Sequence, residues 1–332
     1  MTQKLPVILG VMALALVTAA LSLRLGVRPI GFSTIFEAFT TFDPTSADHL
    51  TVRQLRVPRA VAALIGGGSL GLAGALMQVL SRNPLADPGL LGVNGGAALG
   101  VVIAIWGLGL TAQGALVIPA LIGAALAATL VLLLGGTVQK NGPGPTRLIL
   151  AGAAVGTLFL AFTWAILILS RESLDVYRFW VLGGFTGIEL KDLLSLMPLY
   201  IIAVPLALIS AVMLEPLTLG DDAARALGVR VGLTRVLAIA AIVLLCGTTV
   251  SMAGPIAFIG LLVPHLVRPI LGAGVKQLAI GSLIFGAMLA VVADTLGRVI
   301  LPGQEIEAGA MMALIGGPTL VLLARRRREV AL

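Results

Sequence analysis

The chain has 332 residues; 58% are hydrophobic, only 11% are charged, and the formal net charge is +7. A soluble domain carries roughly a quarter charged residues, so this balance excludes an ordinary soluble fold and predicts an all-α, polytopic membrane protein. The positive charge comes without a basic stripe interleaved with aromatics outside the apolar runs, which argues against nucleic acid as a partner.

A bilayer-crossing helix needs about 20 mostly apolar residues. Runs that reach or approach this lie near 5–23, 60–80, 90–107, 114–135, 147–169, 193–214, 233–251, 275–297 and 307–324. A shorter stretch at 255–271 is interrupted by Pro264. If it crosses too, about ten helices span, and both termini lie on one side. The first run has an apolar core of about 19 residues, longer than a signal-peptide core, and is expected to be an uncleaved first helix. The longest polar connections are 24–58, 171–192 and 215–232, so a single transmembrane domain is expected over 1–332.

Orientation follows the distribution of cations. With both termini cytoplasmic, 13 Lys and Arg fall inside, including Lys4, Lys140 and the run Arg325 to Arg328. Nine fall outside: Arg24, Arg28, Arg53, Arg56, Arg59, Arg171, Arg178, Lys191 and Arg298. Four adjacent cations directly after a helix resist translocation, so the tail decides the orientation. The basic outer loop around 50–59 then runs against the rule and asks for a functional reason.

Several chemistries are absent. There is no G-x-x-x-x-G-K-[ST] phosphate loop, no Ser-His-Asp set and no His/Cys cluster, so neither ATP hydrolysis by that route nor enzymatic catalysis is expected, and no cofactor or metal. The one cysteine, Cys246, lies in an apolar run and reads as a small core residue. An ion-coupled secondary transporter would need acids within the spans. Only Asp294 qualifies, and Arg298 follows at i, i+4, where the two can pair.

Four segments carry more specific patterns. Arg56 to Ala97 joins a glycine-studded apolar helix to an Asn-Pro and Asp-Pro break and a second glycine-rich run; small residues let helices pack backbone to backbone in lipid. The loop 216–232, PLTLGDDAARALGVRVG, can hold a short helix over 223–227, capped by Asp221 or Asp222 and ended by Gly228. Gly254 to Gly272 carries Pro255 and Pro264, which break or kink helices. Leu148 to Phe162 presents Gly152 and Gly156 as a small-xxx-small face able to pack another helix.

These strings resemble the FecCD family of ABC importer permeases, which handle iron-siderophores, haem and cobalamin. The resemblance runs from Arg53 to Arg325 and is carried by R-x-P-R at 56–59, D-x-A-x-x-L-G-V at 222–229 and G-P-I-x-F-I-G-L-x-x-P-H-x-x-R at 254–268. It implies a cobalamin-permease-like fold, a second permease subunit (a homologous heterodimer or a homodimer), two cytoplasmic ATP-binding subunits and a periplasmic substrate-binding protein. It implies ATPase coupling through Asp222, Ala224, Leu227 and Gly228, and an ATPase-side surface with Pro264, His265 and Arg268. It implies docking of the binding protein at Arg56, Pro58, Arg59 and Arg298. Gly152 and Gly156 would line the translocation path, and Phe179 to Gly184 would form a short outer helix, although Gly184 stands where many members have Ser. SRNPLADPGLLGVN and GRVILPG look most like ferric-enterobactin-type permeases, so a ferric siderophore is the expected cargo, with haem or cobalamin as the alternative. The expected location is the bacterial inner membrane.

Overall fold

The computed structural model describes residues 5–135 and 145–330; Lys4 and Lys140 lie outside them. Among the described residues the chain is helical, with turns and no strand. Among the described residues six helices are long and apolar enough to cross a membrane, and four shorter apolar ones accompany them: Leu9–Arg24, Val93–Leu108, Ile259–Leu271 and Ala308–Leu322. These ten coincide with the ten apolar runs of the sequence.

The organising element is α4, Val57–Ser81. It contains five glycines between Gly66 and Gly74, each of which costs about 1 kcal/mol in an isolated helix relative to alanine. Here they let other helices approach to backbone contact. A Cβ on Gly71 would strike the Ser282 carbonyl, and one on Gly286 would strike the Gly67 carbonyl, both across the interface with α13, Val275–Val299. Gly74 lies in the same way against Gly260 of α12, Ile259–Leu271. Nearly every side chain of α4 from Pro58 to Leu80 is buried, because α13, α12, α11 (Val231–Ala253) and α9 (Leu190–Leu214) enclose it. The outer ring is α1 (Leu5–Arg24), α5 (Val93–Leu108), α6 (Gln113–Gly135), α7 (Pro145–Leu169) and α14 (Ala308–Val330). Its outward faces carry large exposed apolar side chains such as Leu16, Leu133 and Ile168, which suits contact with lipid.

Two points differ from the sequence expectation. Residues 50–59 are not a loop: a short α3, Ala47–Leu50, passes through a π-helical turn at Thr51–Arg56 directly into α4, so the basic segment is one rigid helical lead. The outer helix before α9 is longer than Phe179 to Gly184; it is α8, Arg171–Leu182, ended by Gly183 at φ +67. The remaining element of this end is α2, Phe32–Thr40.

The break between α11 and α12 is sharp. Gly254 at φ +68 and Phe258 at φ +70 turn the chain, and a bulky residue in the left-handed region is a true outlier. With 13 residues α12 is about 20 Å long, so it starts partway through a 30 Å hydrocarbon layer. Irregular backbone there needs internal partners. Gly184 N–H donates to the Ala253 carbonyl at 2.7 Å, and Gly309 N–H to the Gly183 carbonyl at 2.8 Å, so three breaks in the chain satisfy one another.

Candidate coupling and docking sites

One end of the helix bundle carries an arginine cluster. Arg59, in the first turn of α4, donates from Nε to both oxygens of Asp294 on α13 at 2.9 and 3.1 Å, and from Nη1 to Glu305 at 2.6 Å. Arg298 Nη2 lies 3.2 Å from Asp294 Oδ2, which realises the i, i+4 pair read from the sequence. Arg298 also donates from Nη1 to the carbonyls of Ser22 and Leu25. Arg56 reaches the same corner: its Nη1 donates to the carbonyls of Leu23 and Arg24 at 2.6 and 2.9 Å, and its Nη2 to that of Arg28. The orphan carbonyls at the end of α1 are thus capped by guanidinium groups from α4 and α13.

This geometry changes what the three arginines offer. Arg56, Arg59 and Arg298 do come together, but all are buried and engaged with internal acceptors. Arg59 Nη2 alone among the Arg59 donors has no acceptor. All three border a groove of about 620 Å³ with Glu305, Gln54 and Leu55. Arg53, one helical turn earlier, is exposed, and is stacked 4.5 Å over the Phe42 ring in a neighbouring cleft that also contains Lys191. Glu305 and Glu307 were not singled out by the sequence; both stand in a polar turn with no periodic signal. Burial raises the Glu307 carboxyl above its ordinary value, against a hydrogen bond from Thr186 that lowers it.

The opposite end carries a knob. A 3-10 turn at Glu215–Leu219 leads into α10, Asp221–Ala226, and Gly228 at φ +81 ends it. Ala224 is fully buried and roots the knob, whereas Leu227 is exposed at 65%. The expected aspartate cap does not form. The helix starts from Gly220 without a side-chain cap, and Asp222 projects into solvent, pairing only with Arg225 at 2.8 Å. Asp221 is drawn away by stronger partners: Arg82 Nη2 at 2.7 Å and Arg235 Nη2 at 2.8 Å. Arg82 was not picked out in the sequence, where it reads as a flanking cation, and Asp221 was read only as a candidate helix cap, interchangeable with Asp222. At the same end Arg268 donates to Gln78 Oε1 at 2.8 Å, Gln78 donates to the Leu261 carbonyl, and His265 Nδ1 lies 2.9 Å from that carbonyl. Pro264 is buried in α12 beside them.

Gly152 and Gly156 on α7 pack against Leu90, Leu91 and Gly92, so this face makes the helix contact that small residues permit. The other face of α7 is open and carries Ala153, Ala154, Thr157 and Leu158. Among the described residues no group of three or more His, Cys, Asp or Glu is placed to hold a metal ion.

Ten apolar helices among the described residues, with the glycine-lined α4 at their centre, an arginine cluster at one end and a rooted helical knob at the other, define a multi-pass membrane permease. The chain matches the FecCD transport family over residues 14–326 and belongs to that family. It is 40% identical over 318 residues to the ferric enterobactin transport system permease protein of Escherichia coli K12, covering 96% of this chain and 94% of the relative. A probable siderophore transport system permease protein of Bacillus subtilis 168 is 36% identical over 292 residues, or 88% of this chain and 87% of that one. The fold is similar to that of a solved metal-chelate type ABC transporter in an inward-facing conformation, at a TM-score of 0.85 and 28% identity, over 97% of this chain and 99% of the other.

Proposed function

We propose that this chain is the permease subunit of an ATP-binding-cassette importer that moves a ferric siderophore across the bacterial inner membrane by alternating access. The observation that carries this reading is the knob at 220–228. It is rooted by Ala224 and exposes Leu227 at the end of the bundle opposite the arginine cluster, in a chain with no phosphate-loop motif of its own. Such a surface suits a separate ATPase subunit whose closure pushes on it. Asp222, Ala224, Leu227 and Gly228 are assigned to that contact, with His265 and Arg268 on the adjoining surface. Both termini then lie in the cytoplasm, and the arginine end faces the periplasm.

There a binding protein docks. Arg53 and the rim of the groove beside Arg56, Arg59 and Arg298 provide the cationic surface, and complementary charge steers encounter and fixes register. A second permease copy or homologue would complete the path; the open face of α7 is suited to line it, while Gly152 and Gly156 set the position of that helix. The ferric siderophore assignment is supported by the similarity to the ferric enterobactin and siderophore permeases above. Uptake of radioactive iron by cells lacking this chain tests it, with ferric catecholate siderophore, ferric hydroxamate, haem and labelled cobalamin offered separately. Loss of one ferric siderophore alone is the expected result; selective loss of haem or cobalamin uptake transfers the assignment to that cargo.

A further inference from the structure

The two charged ends of the molecule are joined by one pair of helices. Helix α4 runs about 33 Å from Arg59 to its last residue, Ser81, and is capped by Arg82; α13 runs back antiparallel from Lys276 to Arg298. Between the ends the two are in backbone contact at Gly67, Gly71, Ser282 and Gly286, where no side chain intervenes to repack. Elements in contact of this kind move together, because a packed interface does not deform continuously.

At the inner end three ties fasten the knob to this pair and to α11. Asp221 accepts from Arg82, the left-handed C-cap residue of α4 at φ +52, and Arg82 also donates to the Leu217 carbonyl at 3.0 Å. Asp221 accepts with both oxygens from Arg235 of α11, whose side chain is only 6% exposed. Glu215 pairs with Lys276 of α13 at 3.4 Å. The knob therefore touches the strut at both of its inner termini. At the outer end the same two helices carry Arg59 and Asp294, bonded to each other.

We infer that Asp221 is a positioning residue that fastens the knob to a rigid α4–α13 strut, so that displacement of the knob reaches the outer arginine cluster as movement of the strut. The inference rests on the ABC-permease reading above. Asp222, though adjacent, has no such part, since its only partner is on its own short helix.

The test uses the complete importer, with its ATPase subunits, in proteoliposomes loaded with ATP, and compares Arg82→Gln, Arg82→Lys and Asp221→Asn. The expected result is that Arg82→Gln and Asp221→Asn each lower uptake roughly tenfold or more, the size of a typical coupling term, while ATP hydrolysis persists. Arg82→Lys restores most of the uptake. A merely structural role would lower hydrolysis and uptake in step, and that outcome overturns the inference. So does uptake at the parental level in both Arg82→Gln and Asp221→Asn. Should Asp221→Asn fail to insert, the half-exposed Arg82 pair decides alone. If the parental chain recruits no ATPase and supports no ATP-dependent uptake, the permease reading itself falls, an outcome distinct from the other two.

Discussion

Arg59 on α4 and Asp294 on α13, 235 residues apart in sequence, are joined by two charge-assisted hydrogen bonds within a bundle of apolar helices. Asp294 is the acceptor for two guanidinium groups, Arg59 and Arg298, and its side chain is 2% exposed. Removing one member of a buried pair leaves the rest uncompensated. Asp294→Ala is therefore expected to destabilise the protein by about 3–5 kcal/mol. Thermal unfolding in detergent measures this, and the double variant with Arg59→Ala should cost less than the sum of the two single changes.

The position of the outer arginines separates two roles that the sequence ran together. Arg53 is exposed and Arg59 is buried. Arg53→Glu is expected to reduce uptake with an unchanged melting temperature. Arg56→Glu combined with Arg59→Glu is expected to lose both uptake and assembled protein, because it places carboxylates against the carbonyls of α1 and beside Asp294. Uptake assays paired with quantitation of membrane-inserted protein distinguish these outcomes.

Backbone contact between α4 and α13 leaves no room for a side chain. Gly71→Leu is expected to cost at least the 1–3 kcal/mol typical of overpacking and to lower the yield of folded protein. Gly107→Leu is the control, since nothing lies within 4 Å of a Cβ there. Equal yields from the two variants would contradict the close contact.

Gly228 closes the knob at φ +81, a conformation that costs other residues about 1–2 kcal/mol. Gly228→Pro cannot adopt it at all. Insertion should be retained, because the position is at the surface with nothing near its Cβ. The ATPase rate of the assembled importer should fall, and a parental rate in Gly228→Pro would refute the role given to the knob.

The Glu307 carboxyl, just ahead of α14, is held above its ordinary value by burial. A raised carboxyl contributes stability that is complete below its unfolded value and is lost as pH rises through the folded one. The melting temperature should thus decline as pH is raised from the ordinary glutamate range upward, and Glu307→Gln should flatten that decline. The same slope in parent and variant would assign the pH dependence elsewhere.

The spans were legible because each one is set by a local apolar run, and Gly228 announced its turn through backbone chemistry; Pro264, expected to interrupt its stretch, instead lies inside the continuous α12, and the break falls at Gly254 to Phe258. The pairings were not legible. Arg59 finds Glu305 at a separation of 246 residues, and Arg82 finds Asp221 at 139, distances at which no periodicity connects the partners. Asp221 and Asp222 are identical residues side by side, and only the approach of α4 and α11 tells them apart. The segment 50–59 read as a loop because its polar residues hid a π-helical turn that continues into α4.

The capping of α1 by Arg56 and Arg298 has a consequence for how the protein is made. On a translating ribosome α1 enters the bilayer with its terminal carbonyls exposed, and Arg298, donating to Ser22, is synthesised 276 residues later. Until then the first helix holds only half of its seal. Final closure of this corner must wait for α13, so the last stages of biogenesis return to the place where it began.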